Sequence, residues 1–391
     1  MSFFESPPKP KTLLGYHRIL SPTAAVKVSP ICQGGISIGS AWGEVFGKNE
    51  EPFKLLDAYY ALGGNFIDTA SIYNAEESES LIGEWMELRG VRDQMVVATK
   101  YTAQYRSHNR ENEPIQSNFI GNSAKSMHLS VRDSLKKLRT DYIDILYVHW
   151  WNFATSVEEV MRHLHAYVMA RQVLYLGISN TPAWVVVKAN AFARANGLTP
   201  FSVYQGRWNV GSRDMEAEII PMCEDQGMAV VSWNALGGGS LLSTEQLREQ
   251  EKNPDARAGS TKRLNVELCD ALEKLAEEKN TTLQAIALAY LFHQTTYVFP
   301  IVGVNSIEHV EAMPEAVRVC LSKDDVDAIH QVSRFDPGFP MNFLFNYKGG
   351  QEYNLGLTAA NNQQYQMGAW IHAPPKQPVS LHRDVGALAD L

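Results

Sequence analysis

Eight apolar runs of strand length, separated by helix-like segments, constrain what this chain can fold into more than any other feature. They lie near residues 31–36, 65–68, 95–99, 142–149, 173–178, 201–204, 228–233 and 298–302. Between them, 51–62 carries Phe53, Leu56 and Tyr60 at helical spacing and stops at Gly63-Gly64, a C-cap signal. The segment 126–138 places Met127, Val131, Leu135 and Leu138 on one face. Thr181-Pro182 opens another helix, with Pro expected at its first position. Segments 266–278 and 283–292 form a helical pair before the last run. Strands alternating with helices imply a parallel sheet with helical crossovers. About 270 residues from first run to last suit an α/β closed (β/α)8 TIM barrel. The alternative is a doubly wound open sheet, which normally carries GxGxxG after its first strand. Here that turn reads Gln33-Gly34-Gly35-Ile36-Ser37-Ile38-Gly39 and does not match.

Ahead of the barrel, residues 1–14 are Pro- and Lys-rich and read as a poorly ordered lead-in, and 15–31 reads as an N-terminal β-hairpin. The barrel domain is expected over 15–333. After the seventh strand, 237–263 reads as a long polar loop. Residues 334–391 form a C-terminal extension rich in Asn, Gln, Pro and Gly. Two readings stand for it, a disordered tail or a segment folded over the barrel mouth. Phe343, Phe345, Tyr347 and Tyr353 favour the second, since a solvated tail seldom carries so many aromatics.

Composition narrows the function. With 45% hydrophobic and 20% charged residues, a core of barrel size is available. A net charge of −8 without a basic block argues against nucleic-acid and anionic-membrane partners. No apolar run reaches membrane-span length and no secretory signal is visible, so a cytoplasmic setting is the default. Cys32, Cys223, Cys269 and Cys320 include no CxxC pair and read as reduced core thiols.

Three strand-like runs end abruptly in ionisable groups: Phe66-Ile67-Asp68 with Tyr73 five residues on, Ala98-Thr99-Lys100-Tyr101, and Leu146-Tyr147-Val148-His149-Trp150. In a parallel barrel such ends converge on one face. A phenol titrates near pH 10, and an ammonium nearby lowers that value toward the working range of acid–base catalysis. Lys100 is the expected cation, Asp68 its partner, Tyr73 the proton donor, and His149 a hydrogen-bond donor to a substrate carbonyl. Singly, a strand-end Asp is often a helix cap and a nearby Tyr is usually packing. A buried strand-end Lys is rarer, because its charge needs compensation. Together the four suit carbonyl reduction, and nothing resembles a metal site or a nucleophile elbow.

These residues resemble the catalytic tetrad of the aldo-keto reductase superfamily in order and spacing, over residues 15–333. The run Ser134-Leu135-Lys136-Lys137-Leu138-Arg139-Thr140-Asp141-Tyr142-Ile143-Asp144 resembles its signature. Gly34-Gly35-Ile36-Ser37-Ile38-Gly39, Val96-Val97-Ala98-Thr99-Lys100-Tyr101, Thr181-Pro182-Ala183-Trp184-Val185-Val186 and the long C-terminal extension resemble the fungal branch with aryl-alcohol dehydrogenases and norsolorinic acid reductase.

The resemblance implies a nicotinamide cofactor held without a Rossmann motif. Ser179, Asn180 and Gln205 match the residues that hold its carboxamide, and Trp233 matches the ring stacked on the nicotinamide. Leu236-Gly237-Gly238-Gly239 resembles the loop at the pyrophosphate, although a GGG run reads equally as a hinge. Gly35, Ile36, Asp68, Asn234 and Gly303 complete the implied cofactor contacts. Asn305 stands where Arg or Lys is common, and His309 where Arg often appears, so the usual fork for an adenosine 2'-phosphate is missing. Ser306 and the following helix start still offer donors. NADP(H) is expected from the branch, with NAD(H) the alternative.

Trp42, Tyr101, Trp150, Trp151 and Trp208 sit just past strand ends, while Trp184 is expected to pack on its helix. They are either rim core residues or, with Tyr73 and His149, the lining of an apolar slot for a flat substrate. Arg207 and Arg213 are the only evident candidates for a substrate anion. The expectation is a reductase of aromatic or hydrophobic aldehydes and ketones, with a small-molecule partner and undetermined oligomeric state. Two other classes compete: a cofactor-sensing regulatory subunit like the channel β-subunits of this barrel, and a phosphate-sugar isomerase.

Overall fold

A computed structural model describes residues 8–46, 51–252, 262–345 and 362–371. The chain opens with a hairpin of β1 (Arg18–Ser21) and β2 (Ala24–Val28). Eight parallel strands follow: β3 (Cys32–Gly34), β4 (Phe66–Asp68), β5 (Val96–Tyr101), β6 (Ile143–Val148), β7 (Val173–Ser179), β8 (Val203–Arg207), β9 (Ala229–Trp233) and β10 (Val298–Gly303). They pair in sequence order, and β10 closes on β3, with Ile301, Val302 and Gly303 opposite Cys32, Gln33 and Gly34. The open-sheet alternative is thereby excluded. Helices connect consecutive strands, as parallel pairing requires.

The two faces of each strand explain both cores. Alternate residues Phe66, Val96, Ala98, Ile145, Tyr147, Val203, Ala229, Val231 and Phe299 fill the barrel interior. Their neighbours Ile67, Val97, Leu146, Leu176, Ile178, Tyr204 and Val230 pack outward against the helices. Leu20, Ala24 and Val28 of the hairpin plug one end of the interior. Arg18 lies 5.2 Å from the Phe299 ring centroid there.

Several elements depart from expectation. Pro182 is the N-cap of helix Ala183–Ala195, one residue before the helical position expected for it. The expected strand at 201–204 runs instead from Val203 to Arg207, because the Phe201 N–H donates to Asn190 Oδ1 at 2.8 Å rather than to the ladder. The segment 237–263 is not a uniform loop. Helix Thr244–Gln250 stands in it, started by a Ser243/Gln246 capping box. Cys32, Cys223 and Cys269 are buried thiols, but Cys320 is exposed. The lead-in residues 1–7 lie outside the described residues, as do Tyr347 and Tyr353 of the extension. Of that extension, short helices Met341–Leu344 and Gln363–Gln366 are described. Among the described residues no helix is long and apolar enough to cross a membrane.

Candidate active site

In five of the eight strands the inward-facing row carries on past the interior core and ends in a side chain with a hydrogen-bonding atom. Phe66 is followed by Asp68, Val96 and Ala98 by Lys100, Ile145 and Tyr147 by His149, Val203 by Gln205, and Ala229 and Val231 by Trp233. The period of two thus gathers residues scattered over the sequence into one layer at the C-terminal mouth.

Lys100 is fully buried at the centre of that layer. Its Nζ donates to Asp68 Oδ1 at 2.5 Å, to the Thr69 carbonyl at 2.7 Å and to Tyr73 Oη at 3.3 Å. All three ammonium donors are used. Asp68 Oδ2 accepts from Gln205 Nε2 at 2.8 Å, so the carboxylate is satisfied on both oxygens. Tyr73 stands over the group, its ring centroid 4.8 Å from Lys100 Nζ. His149 meets it edge to face at 6.1 Å, and Trp42 does so at 6.3 Å. Trp150 lies 4.9 Å from the His149 ring.

The turn that delivers Tyr73 is unusual. Asn74, Ala75 and Glu76 all have positive φ, at 49°, 52° and 79°. Each costs roughly 1–3 kcal/mol in a residue with a Cβ, and such strain persists only where neighbours over-determine it. Asn74 does part of this. Its buried amide donates to the carbonyls of Ile36 and Ile38, and its Oδ1 accepts from the Trp42 N–H. One side chain therefore locks the Tyr73 turn to the loop that carries Trp42. Only Asn of the three tolerates the left-handed region well, which is why the sequence did not reveal the turn.

The electrostatics correct one expectation. Burial holds the Tyr73 phenol above its ordinary value; Lys100 pulls it down without overcoming that effect, and Asp68 adds to the rise. The phenol is therefore a protonated donor, not an unusually acidic one. Burial lowers Lys100, but Asp68 and then Tyr73 more than offset this and hold it above the usual ammonium value. His149 is pushed down to about 3 by burial and by Lys100, and stays neutral. Its Nδ1 is buried without a hydrogen-bond partner among the described residues.

The implied cofactor residues also assemble. Asn180, exposed and left-handed at φ 47°, donates from its amide to Ser179 Oγ at 2.8 Å and to the His149 carbonyl at 3.1 Å. Its Oδ1 accepts from Trp233 Nε1 at 3.1 Å, and its backbone N–H bonds the Gln205 carbonyl. A half-exposed indole beside hydroxyl and carboxamide groups fits a flat aromatic amide such as nicotinamide. Asn234 adjoins at φ 61°, and beyond half-buried Leu236 come Gly237, Gly238 and Gly239, all at positive φ. Gly35 is buried, its N–H already donating to the Asp68 carbonyl at 2.7 Å, with Ile36 half-buried beside it. A Cβ on Gly35 would meet that carbonyl oxygen at 2.9 Å, so its glycine is needed for strand contact. Exposed Gly303 precedes Asn305, whose amide donates to the Phe46 carbonyl at 2.9 Å, and His309 is exposed on the next short helix.

For three of the five strand-end aromatics the core reading holds rather than the slot lining, and Trp184 departs from its own expectation. Tyr101 is on the outward row of β5 and buried among the helices, and Trp151 is in the same outer core. Trp208 is buried there too, its Nε1 donating to Glu216. Trp184 is 63% exposed rather than packed. Of the arginines, Arg213 is buried against Glu216 and the Ser333 carbonyl, while Arg207 is exposed. Among the described residues no cluster of His, Cys, Asp and Glu could hold a metal.

Against known proteins, residues 30–334 match the model described as Aldo/keto reductase family. The chain is 47% identical over 372 residues to norsolorinic acid reductase A of Aspergillus parasiticus, covering 95% of this chain and 94% of that one. It is 48% identical over 332 residues to norsolorinic acid reductase B of Dothistroma septosporum, covering 84% of each. An aryl-alcohol dehydrogenase of Phanerodontia chrysosporium, whose name specifies NADP(+), is 46% identical over 376 residues, covering 93% of this chain and 96% of that one.

Proposed function

The chain belongs to the aldo/keto reductase family and is an oxidoreductase, and on that premise we propose that it interconverts aromatic or hydrophobic carbonyls and alcohols with NADP(H), using Tyr73 as the proton donor. The observation that carries the reading is the bonded chain Gln205–Asp68–Lys100–Tyr73, with His149 beside the phenol. The bound dinucleotide would supply hydride to the carbonyl carbon. Ser179, Asn180, Gln205 and Trp233 would hold its nicotinamide end, and the backbone of Leu236 and Gly238 its phosphates.

The chain's own residues do the rest. Tyr73, protonated at neutral pH, gives its proton to the carbonyl oxygen as negative charge develops there. Lys100 stabilises the phenolate left behind, and Asp68 keeps that ammonium charged and fixed. Neutral His149 shares its one N–H with the same oxygen and aligns it. In the oxidative direction the phenolate is the base, so that rate should rise with pH. The rings of Trp42, Trp150, Tyr73 and His149 support a flat apolar substrate. NADP(H) over NAD(H) rests on the dehydrogenase relative's name, since neither Asn305 nor His309 supplies a guanidinium fork. Turnover with benzaldehyde-type and sugar-type carbonyls, each with NADPH and NADH, tests both parts. Exclusive use of sugars would sink the aromatic slot, and preference for NADH the cofactor assignment.

A further inference from the structure

We propose that Lys137, at the end of helix Ala124–Lys137, is a positioning residue that sets Tyr73 at its distance from Lys100. The proposal rests on Tyr73 being the proton donor. Lys137 touches neither Tyr73 nor Lys100; it acts through the main chain on both sides of the tyrosine. Its Nζ donates to the Ser71 carbonyl at 3.3 Å, two residues before Tyr73, and to Glu76 Oε1 at 3.0 Å, three residues after it. One ammonium thus holds both ends of the segment whose tip is Tyr73, including the three left-handed residues 74–76.

The third acceptor reaches the other partner. Lys137 Nζ lies 2.7 Å from Oε2 of Glu79, a fully buried carboxylate. Glu79 Oε1 accepts from Thr99 Oγ1 at 2.5 Å, and Thr99 immediately precedes Lys100 in β5. A parallel link runs through helix Glu77–Arg89, which carries Glu79. Ser78 Oγ bonds Thr69 Oγ1 at 2.8 Å, and the Thr69 carbonyl receives Lys100 Nζ. The strand presenting the ammonium and the turn presenting the phenol are therefore referred to one point charge. Two of the Lys137 donors go to Ser71 and Glu76, and Glu79 Oε2 is held as an ion pair.

The surroundings make this contact specific. Lys137 lies 5.2 Å from the Tyr105 ring centroid, and Arg106 donates to Glu76 Oε2 at 2.9 Å. The guanidinium holds only the far oxygen of Glu76. Among the described residues, Lys137 alone both donates a side-chain bond to the Ser71 carbonyl and pairs with the two glutamates.

The test compares Lys137→Met, Lys137→Met with Glu79→Gln, Lys137→Arg and Tyr73→Phe. The double variant removes both opposed buried charges and so keeps the question open to test if the single variant folds poorly. Readouts are kcat, KM, NADPH affinity by fluorescence titration, thermal midpoint, and the pH dependence of alcohol oxidation. That oxidation limb reports Tyr73 as it is faced by Lys100 from β5, Asp68 from β4 and His149 after β6. Positioning requires kcat to fall about 10- to 100-fold in the double variant while KM and NADPH affinity stay within about twofold. The oxidation limb should move up by about one pH unit as the phenol loses the ammonium's influence. Lys137→Arg should recover the thermal midpoint more fully than kcat, because its fork keeps the glutamates but changes the point contact to Ser71. A lowered thermal midpoint with wild-type kcat and an unmoved pH limb would overturn the proposal, leaving Lys137 a structural ion-pair partner only. Full turnover by Tyr73→Phe would instead remove the proton-donor reading itself, so the two failures are told apart.

Discussion

At the scale of single residues, the site turns on a buried ammonium whose every donor is assigned. Tyr73→Phe removes the proton donor without touching the proposed nicotinamide contacts, and a general acid is worth about 10²–10⁴-fold. Carbonyl reduction should fall by that order while NADPH titration stays unchanged. Lys100→Met has a second consequence. It leaves the Asp68 carboxylate buried with Gln205 as its remaining side-chain donor, and breaking a buried pair costs about 3–5 kcal/mol. Urea midpoints should show that loss, and Asp68→Asn combined with Lys100→Met should recover much of it without restoring turnover. Asp68 and Lys100 could be singled out in the sequence because each ends an apolar run, and Tyr73 because it follows Asp68 closely. Their energetics could not be read there. The opposing effects of burial and Lys100 on Tyr73 depend on how deeply the hydroxyl sits, which no spacing encodes. Tyr101 belongs to the outer core rather than the slot, because strand alternation puts it on the face opposite Lys100.

At the scale of elements, helices Val266–Glu278 and Leu283–Phe292 fall where their apolar periodicity put them. The start of β8 did not, because the bond between Asn190 and the Phe201 N–H links residues eleven apart and is invisible to a local pattern. Helix Thr244–Gln250 was missed because it carries few apolar positions, although its Ser-x-x-Gln capping signal was available. Helix Lys323–Val332 carries His330, buried against the hydroxyl of Tyr290, with Nε2 3.0 Å from it. Burial and then Arg213 lower this histidine to about 3, opposed by Asp327. Its folded value lies below the unfolded one near 6.5, so between the two only the unfolded chain takes up the proton. Stability is then fully present above about pH 6.5 and declines as pH falls, by about 1.4 kcal/mol per unit for this group alone. His149 adds a similar slope over the same window. Urea midpoints at pH 7, 6 and 5 should show a shallower decline in His330→Gln than in the wild type, and an identical slope would mean that His330 does not remain neutral in the fold.

At the scale of the whole molecule, the barrel is a filled cylinder that supports the mouth from below. Architecture and strand order were legible because alternation of strands and helices leaves few parallel topologies, whereas the fit of side chains inside the cylinder was not, since it joins residues from many strands. Tyr147 shows the consequence. It faces inward one layer beneath the site, with Lys100 Nζ 5.9 Å from its ring centroid. Across the ladder β7 presents Gly177, paired with Tyr147 itself. A Cβ on Gly177 would lie 2.4 Å from Tyr147 Cδ1 and 2.5 Å from Cε1. The ring is fully buried, so it cannot yield toward solvent and has to press on the layer that holds Lys100. Overpacking of this kind costs about 1–3 kcal/mol. Gly177→Ala should therefore lower the urea midpoint and also depress kcat, although Gly177 is not itself one of the four tetrad residues. Gly43→Ala supplies the control, because a Cβ there would meet nothing within 4 Å. Should Gly177→Ala lose stability and yet turn over at the wild-type rate, the interior and the mouth would be mechanically independent, and the filled cylinder would be only a scaffold.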